Sequence, residues 1–256
     1  MRARWVAILA TALLAPSCAG GPKAQAPEAG RLVMFVGVDI SGSFMHGRYF
    51  DDSIDFLAHY LHAHLNGLGG LEVPHSLFVG SIGGVKKDEP KTLFPIEKFQ
   101  DRSVEQIDAE LHEMFPKNKE NAFTDFNAFF EQVADMISTK RLILKPVSIV
   151  LLTDGAPDLG GDTRSAKFRN LAVKPLESLS RNITLRILYT DAVTAKSWQS
   201  EVPRKRVKVW TQDAIVMADW KDPKTLLPGK PFADQQKFFS WVRDNVDFQP
   251  RLRRVD

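Results

Sequence analysis

Four side chains with oxygen ligands stand at positions where they could bind a divalent cation. Asp39, Ser41 and Ser43 alternate along the chain directly after an apolar run, and Asp154 follows a second apolar run. Each offers oxygen and none offers nitrogen or sulfur, which is the ligand chemistry that Mg²⁺ and other hard cations prefer. The residue types and their alternation therefore predict an oxygen-lined cation site, provided that the fold brings the two segments together.

Two continuous apolar runs are the elements that must position these side chains. Residues 32–38 end in Asp39 and residues 147–152 end in Thr153-Asp154-Gly155, and such runs are typical of buried parallel strands. Ligands of an open α/β sheet bind outside the carboxyl ends of the strands, where the strand order reverses. If the order is 3-2-1-4-5-6, the two runs flank that crevice, so the fold rule selects the same point as the residue types.

Apolar runs alternate with stretches of helical period along the rest of the chain, which is the pattern of a βαβ domain. Further strands are predicted over residues 76–82, 183–189 and 207–210, with a short edge strand over 92–99, where Pro95 excludes a central position. Helices are predicted over residues 54–65, 104–114, 126–137, 163–181 with a break at Pro175, 194–202 and 234–247. The proline-rich residues 213–233 are predicted to be mostly loop. The expected fold class is α/β, a doubly wound, mostly parallel six-stranded sheet with helices on both faces.

The combined motif resembles a known metal site. Asp39-x-Ser41-x-Ser43, Thr124 at the start of a helix and Thr153-Asp154-Gly155 together resemble the metal-ion-dependent adhesion site (MIDAS) of von Willebrand factor A (VWA) domains, such as integrin I domains. The element order of residues 31–212 is similar as well. The resemblance implies Mg²⁺ or Mn²⁺ bound directly by Ser41 and Ser43, with Thr124 bound directly or through water and with Asp39 and Asp154 acting mostly through bound water. It also implies a protein partner whose exposed Glu or Asp supplies the sixth ligand, and no catalytic residues.

Three alternatives to this interpretation remain open. Ser41 and Ser43 could merely cap the next helix while Asp154-Gly155 forms a turn, which would leave a scaffold without a functional metal site. A metal-dependent phosphoesterase could use Asp39 as nucleophile or ligand, although Ser41 stands where such enzymes commonly have a second aspartate. Asp125 could replace Thr124 as an oxygen ligand, and Asp158 could lie on the rim of the site or in an exposed turn.

The N-terminal end has the three parts of an export signal. Residues 1–4 contain two arginines, residues 5–15 are nearly all apolar, and residues 16–20 are mostly small. The apolar segment would rise only about 16 Å as a helix, too little to cross a bilayer core of about 30 Å. Residues 14–18 resemble a bacterial lipobox, which implies a signal peptide over 1–17, lipidation of Cys18, a flexible tether over 18–30 and a VWA-like domain over 31–250. An ordinary signal peptide with an incidental cysteine is the alternative.

Composition narrows the functional classes further. The chain has 256 residues, a net charge of +3 and a single cysteine, so no strong charge indicates nucleic-acid binding, and an intramolecular disulfide or a cysteine-based zinc site is excluded. Together with the export signal, this predicts a protein of the bacterial cell envelope that meets the membrane only through its lipid anchor. Ala19 after the cysteine favours the outer membrane over the inner one. The histidines at 59, 62 and 64 are expected on a solvated helix face, and the basic residues 204–206 are expected in solvent at a sheet edge.

Overall fold

The predicted strands join in one sheet. The computed structural model describes residues 30–82, 92–118, 123–158, 163–180 and 182–248. Its six strands are β1 (Val33–Asp39), β2 (Ser76–Ile82), β3 (Phe94–Pro95), β4 (Val147–Leu152), β5 (Ile183–Thr190) and β6 (Lys208–Asp213), in the order β3-β2-β1-β4-β5-β6. All neighbouring strands are parallel except the edge pair β2 and β3. The predicted fold class and strand order are confirmed.

The register of the central strands aligns their carboxyl ends. Val33 pairs with Val147 and Val38 pairs with Leu152, so β1 and β4 run level along their shared length. Every residue of both strands is buried, because each strand has a neighbour on either side and helices above and below it. The first residues beyond the apolar runs, Asp39 and Thr153, therefore meet at one edge of the sheet.

Helices cover the sheet on both sides. They are α1 (Gly42–Met45), α2 (Phe50–Leu65), α3 (Val104–Met114), α4 (Phe126–Thr139), α5 (Arg164–Arg169), α6 (Lys174–Glu177), α7 (Ala192–Ser200), α8 (Ala214–Ala218) and α9 (Gln236–Asn245), with 3-10 turns at Leu68–Gly70, Ile96–Lys98, Asp219–Lys221 and Phe232–Asp234. Ser103 and Gln106 form a capping box that begins α3. No helix in the described part of the chain is long and apolar enough to cross a membrane.

Alternate residues of β1 belong to two separate cores. Met34, Val36 and Val38 pack with side chains from α2, α3, α8 and α9, whereas Val33 and Phe35 pack with side chains from α4 to α7. This alternation is the period of two that a strand imposes on its side chains. The two-sided cover holds the sheet rigid, so residues at the ends of its strands occupy fixed positions.

Gly37, in the middle of β1, lets α4 pack directly on the strand. A Cβ atom at this position would lie 2.9 Å from the ring of Phe129 and 2.8 Å from the side chain of Ile82. No side chain fits there without displacing a neighbour. The close contact brings the beginning of α4, and with it Thr124, over the carboxyl end of β1.

Two of the predicted boundaries are wrong. Residues 213–233 are not mostly loop, because Asp213 caps α8 and Met217 and Trp220 are buried behind it. The helical segment over 163–181 is split into α5 and α6, and the break comes before Pro175, which lies in the first turn of α6. A proline in a first turn gives up no helical hydrogen bond.

The predicted solvated histidine face of α2 is also wrong. His64 is buried and contacts Asp247 through Nε2 at 2.9 Å, and the ring of His59 lies 4.9 Å from that of Trp220. The chain after β6 folds back over this helix and covers it. Arg204 is half-buried and donates to the carbonyl of Val202 at the end of α7 rather than standing free in solvent.

The predictions for the N-terminal end lie outside the described residues. These are the signal peptide over 1–17, the lipidation of Cys18 and all but the last residue of the tether over 18–30. The proposed domain boundary at 250 lies just beyond the last described residue, 248.

Candidate functional site

Asp39 is the centre of the candidate site. It ends β1, is completely buried, and its Oδ2 accepts a 2.6 Å hydrogen bond from the hydroxyl of Thr153. Its Oδ1 accepts a 2.9 Å hydrogen bond from the backbone N–H of Ser41. The level register of β1 and β4 makes the first contact possible, and the turn after β1 makes the second. The carboxylate therefore has a fixed orientation.

The hydroxyl groups of three predicted ligands gather around this carboxylate. The Oγ atoms of Ser41 and Ser43 are 3.2 Å apart, and Oγ1 of Thr124 is 3.5 Å from Oδ1 of Asp39. Ser41 occupies the N-cap position of α1, yet its side chain makes no capping hydrogen bond. Its hydroxyl is turned toward Ser43 instead, which is not the geometry expected of serines that only cap a helix.

Asp158 holds Thr124 in place. The backbone N–H of Thr124 donates to Oδ2 of Asp158, and the backbone N–H of Asp158 donates to the carbonyl of Thr124, both at 3.1 Å. Asp158 is exposed whereas Thr124 is buried. Asp158 thus lies on the rim of the site, and its contacts also position Thr124. Sequence reasoning missed these contacts, because the two residues are far apart in the chain.

The side chain of Asp125 caps a helix. Its Oδ1 accepts a 3.0 Å hydrogen bond from the N–H of Ala128 and so caps α4. Its Oδ2 is buried and has no hydrogen-bond partner among the described residues. The cap fixes the start of α4 immediately after Thr124. It therefore supports Thr124 as the ligand at this position rather than its replacement by Asp125.

Asp154 lies next to the cluster without touching it through a hydrogen bond. Its Oδ1 accepts from the N–H of Ala156 at 3.0 Å, and the side chain is half-buried. The following Gly155 has a φ of +79° and donates its N–H to the hydroxyl of Thr153 at 2.9 Å. A left-handed φ favours glycine, so the turn is built to direct Asp154 back toward the sheet edge. The structure thus brings four of the five predicted ligands into contact, with Asp154 beside them.

Burial raises the free energy of the ionised form of Asp39. Its pKa is raised from 3.8 to about 6: removal from water is the largest cause, the hydrogen bonds from Thr153 and Ser41 oppose it, and the nearby charge of Asp154 adds to it. No cationic side chain is among the groups that act on this pKa in the described part of the chain. A buried anionic centre lined with hydroxyl oxygens fits a hard divalent cation, because the ion would supply the missing positive charge and the oxygens would coordinate it.

A second cluster of possible ligands lies elsewhere, between α2 and α3. Ligand atoms of Asp55, Asp108 and His112 lie within 4.8 Å of one another. Nδ1 of His112 is 3.4 Å from a carboxylate oxygen of Asp108, and burial together with the charge of Asp108 raises the pKa of Asp55. The i, i+4 spacing of Asp108 and His112 is the sequence signal that could have shown half of this group.

Comparison with known proteins gives matches at the level of fold. No protein-family model and no curated protein sequence matches the chain. Three solved structures are similar in fold. Proximal thread matrix protein 1 from the mussel byssus is 14% identical with a TM-score of 0.46, over 84% of this chain and 48% of that one, and the manganese-loaded TRAP protein of Plasmodium vivax is 14% identical with a TM-score of 0.47, over 72% of this chain and 69% of that one. The SpRpn10 VWA domain is 10% identical with a TM-score of 0.44, over 84% of this chain and 95% of that one. The chain spans about half the length of the mussel protein.

These neighbours include a VWA domain by name, and another structure of the mussel protein is described with a zinc-occupied MIDAS motif. The strand order β3-β2-β1-β4-β5-β6 is the one expected from the resemblance to VWA domains. Identities of 10–14% describe similarity of fold alone. The proposed function therefore rests on the geometry around Asp39.

Proposed function

We propose that this domain binds a protein partner through a Mg²⁺ or Mn²⁺ ion at the carboxyl edge of its sheet. The observation that carries the proposal is the buried carboxylate of Asp39, which has hydroxyl groups around it and, among the described residues, no cationic side chain acting on its pKa. Ser41 and Ser43 would hold the ion directly, Thr124 directly or through water, and Asp39 and Asp154 mostly through water. An ion with few direct carboxylates remains electrophilic, so it would attract an exposed Asp or Glu of the partner.

The residues of the chain prepare this site in advance. Thr153 and the N–H of Ser41 fix the carboxylate of Asp39, while Asp158 fixes the backbone of Thr124. These contacts are made by groups of the chain itself and restrict the motion of the candidate ligands, so little reorganisation would accompany binding. Such preorganisation lowers the entropic cost of association.

Apolar side chains near the same edge give the partner a further contact. Phe123 precedes Thr124, Val193 follows the end of β5, and Ile215 follows the end of β6, and all three are exposed. A protein surface with an acidic residue among apolar neighbours would complement this arrangement, since apolar area adds to affinity and the carboxylate sets the register.

Calorimetric titration with Mg²⁺ and with Mn²⁺ tests the metal site directly. The wild-type chain is expected to bind, whereas Asp39→Ala and Ser41→Ala are expected to lose the binding heat and keep the circular dichroism spectrum of the fold. Ser178→Ala is the matched control, because Ser178 is exposed and donates to the carbonyl of Pro175 far from the site. Equal binding by all variants, or by none of them, contradicts the proposal; the second result favours a scaffold without a metal site.

Metal-dependent turnover of a phosphoester tests the remaining alternative. The proposed binding role predicts no hydrolysis of p-nitrophenyl phosphate with Mg²⁺ or Mn²⁺ by the wild-type chain. Turnover that disappears in Asp39→Asn would instead support the phosphoesterase interpretation.

For the cell, we propose export and anchoring through lipidated Cys18, with residues 18–30 as the tether and the outer membrane as the destination. The support is the basic, apolar and small-residue order of the first 20 residues. Incorporation of labelled fatty acid into the wild-type chain but not into Cys18→Ser tests the lipidation. Separation of inner and outer membranes then tests the destination, and a chain found only in the aqueous fraction overturns the anchor.

A further inference from the structure

The loop between α4 and β4 exposes two large apolar side chains to water. Residues 140–145, which we call the basal loop, connect the last turn of α4 to the strand that begins at Val147. Leu142 is buried in the core, but Ile143 is half exposed and Leu144 is 71% exposed. No other large apolar side chain in the described part of the chain is as exposed as Leu144. Ile143 and Leu144 therefore form an adjacent pair of exposed apolar side chains.

The basal loop holds these side chains outward by its backbone. The N–H of Leu142 donates to the carbonyl of Ile137 at 2.8 Å, and the N–H of Leu144 donates to the carbonyl of Leu179 at 3.1 Å. The hydroxyl of Ser180 donates to the carbonyl of Lys145 at 2.8 Å. Leu144 has a φ of +69°, a region that is uncommon for residues other than glycine. Hydrogen bonds on both sides maintain this conformation, so the exposure of Leu144 belongs to the folded loop.

Positive charges surround the exposed pair. Lys140 and Arg141 are exposed and Lys145 is half-buried, so three cationic residues flank two apolar ones within the basal loop. Lys208 is exposed at the beginning of β6, at the same edge of the sheet. Acidic residues lie at this edge as well, among them the exposed Glu72, which accepts from the N–H of Arg31. The positive charge is therefore local to the basal loop and Lys208.

The chain enters the domain at this same edge. The N–H of Gly30 donates to the carbonyl of Val73, and the N–H of Val33 donates to the carbonyl of Pro146, so residues 30–33 run beside the end of the basal loop. Gly30 lies twelve positions after Cys18, and this stretch spans at most about 43 Å when fully extended. An anchor at Cys18 would hold the basal loop within reach of the membrane.

We propose that the basal loop docks on an anionic phospholipid bilayer. Ile143 and Leu144 would enter the headgroup region, and Lys140, Arg141 and Lys145 would contact the lipid phosphates. Apolar contact and electrostatic attraction are the two contributions that bind a peripheral segment to such a surface. Because the basal loop and the candidate metal site lie at opposite ends of the strands, this docking directs the metal site away from the membrane. The inference does not depend on metal binding.

Fluorescent labelling at two matched positions tests the docking. The full chain with Cys18→Ser has no other cysteine, so an environment-sensitive NBD group can be attached at Leu144→Cys or, on the opposite edge, at Ile215→Cys. The two side chains are 71% and 69% exposed. The labelled chains are mixed with vesicles of phosphatidylcholine, with and without phosphatidylglycerol.

The expected result is a blue shift and a rise in emission at position 144 on vesicles with phosphatidylglycerol, with no change at position 215. Replacement of Lys140, Arg141 and Lys145 by glutamine is expected to abolish the change, and Ile143→Cys gives a second labelled position should Leu144→Cys fail to fold. Equal responses at 144 and 215, no response at 144, or a response that survives the three glutamines overturns the proposal. So does a blue shift at 144 that rises with protein concentration without vesicles, because it indicates that a second copy covers the loop.

Discussion

The hydroxyl of Thr153 donates a 2.6 Å hydrogen bond to Oδ2 of Asp39 across 114 residues of sequence. The same hydroxyl accepts the N–H of Gly155 at 2.9 Å, so one side chain joins the ends of both central strands to the turn that carries Asp154. These two contacts fix Asp39 relative to the turn that carries Asp154.

Replacement of Thr153 by valine is expected to destabilise the protein by about 1–3 kcal/mol, because it leaves a buried carboxylate oxygen and a backbone N–H without their partner. Since the bond from Thr153 lowers the pKa of Asp39, the variant is also expected to raise that pKa above about 6. Urea denaturation measures the first effect and an NMR titration of the carboxyl carbon measures the second. Unchanged values of both would show that Thr153 does not hold the carboxylate in solution.

The metal-free protein is expected to lose stability as the pH rises, through Asp39. Its pKa is about 6 in the folded chain and 3.8 in the reference state, so the folded state binds the proton more tightly. A raised pKa stabilises the fold below the lower value, and that contribution is lost as the pH rises through the folded value. Between pH 5 and pH 8 the loss is on the order of 1 kcal/mol. Urea denaturation in EDTA measures it, and Asp39→Asn is expected to remove this part of the pH dependence.

Asp158→Ala is expected to weaken Mg²⁺ or Mn²⁺ binding by about tenfold while the fold stays intact, because residues that hydrogen-bond to the ligands of a metal site orient those ligands. The variant removes the acceptor of the N–H of Thr124. Asp222→Ala is the matched control, since the Oδ1 of Asp222 also accepts a backbone N–H, that of Lys224, at a turn far from Asp39. If both variants bind the ion equally well, the position of Thr124 does not depend on Asp158.

Asp247 is expected to give the opposite pH dependence. Burial raises its pKa, but the contacts with His64, Arg186 and Tyr60 outweigh burial and hold the pKa below its usual value. A lowered pKa stabilises the fold above the unfolded value, and this stability is lost as the pH falls through the folded value. Asp247→Asn is expected to cost about 3–5 kcal/mol at pH 7, because it leaves the buried guanidinium of Arg186 without its carboxylate partner. Thermal denaturation at pH 7 and pH 3 measures both effects, and a variant as stable as wild type at pH 7 contradicts them.

Much of the fold could be predicted because parallel strands buried on both faces leave continuous apolar runs in the sequence. The alternation of Asp39, Ser41 and Ser43 at the end of such a run identified the turn in the same way. The contacts made by Thr153 and Asp158 could not be predicted, since neither residue stands in a local pattern that indicates its distant partner. The prediction for the histidines of α2 was wrong for a related reason. His64 meets Asp247 across 183 residues, and nothing in α2 itself indicates that the end of the chain covers it.

The hydrogen atom that stands in place of a side chain at Gly37 sets the separation between α4 and the central strand. A methyl group there would lie 2.8 Å from the side chain of Ile82 and 2.9 Å from the ring of Phe129, so the packing of α4 against the strand would have to change next to the segment that carries Thr124. The spacing of the oxygens around Asp39 is therefore fixed partly from inside the sheet, by a residue with no functional group. A chain with Gly37→Ala would keep every candidate ligand of the motif, but the distances between the ligand oxygens would change.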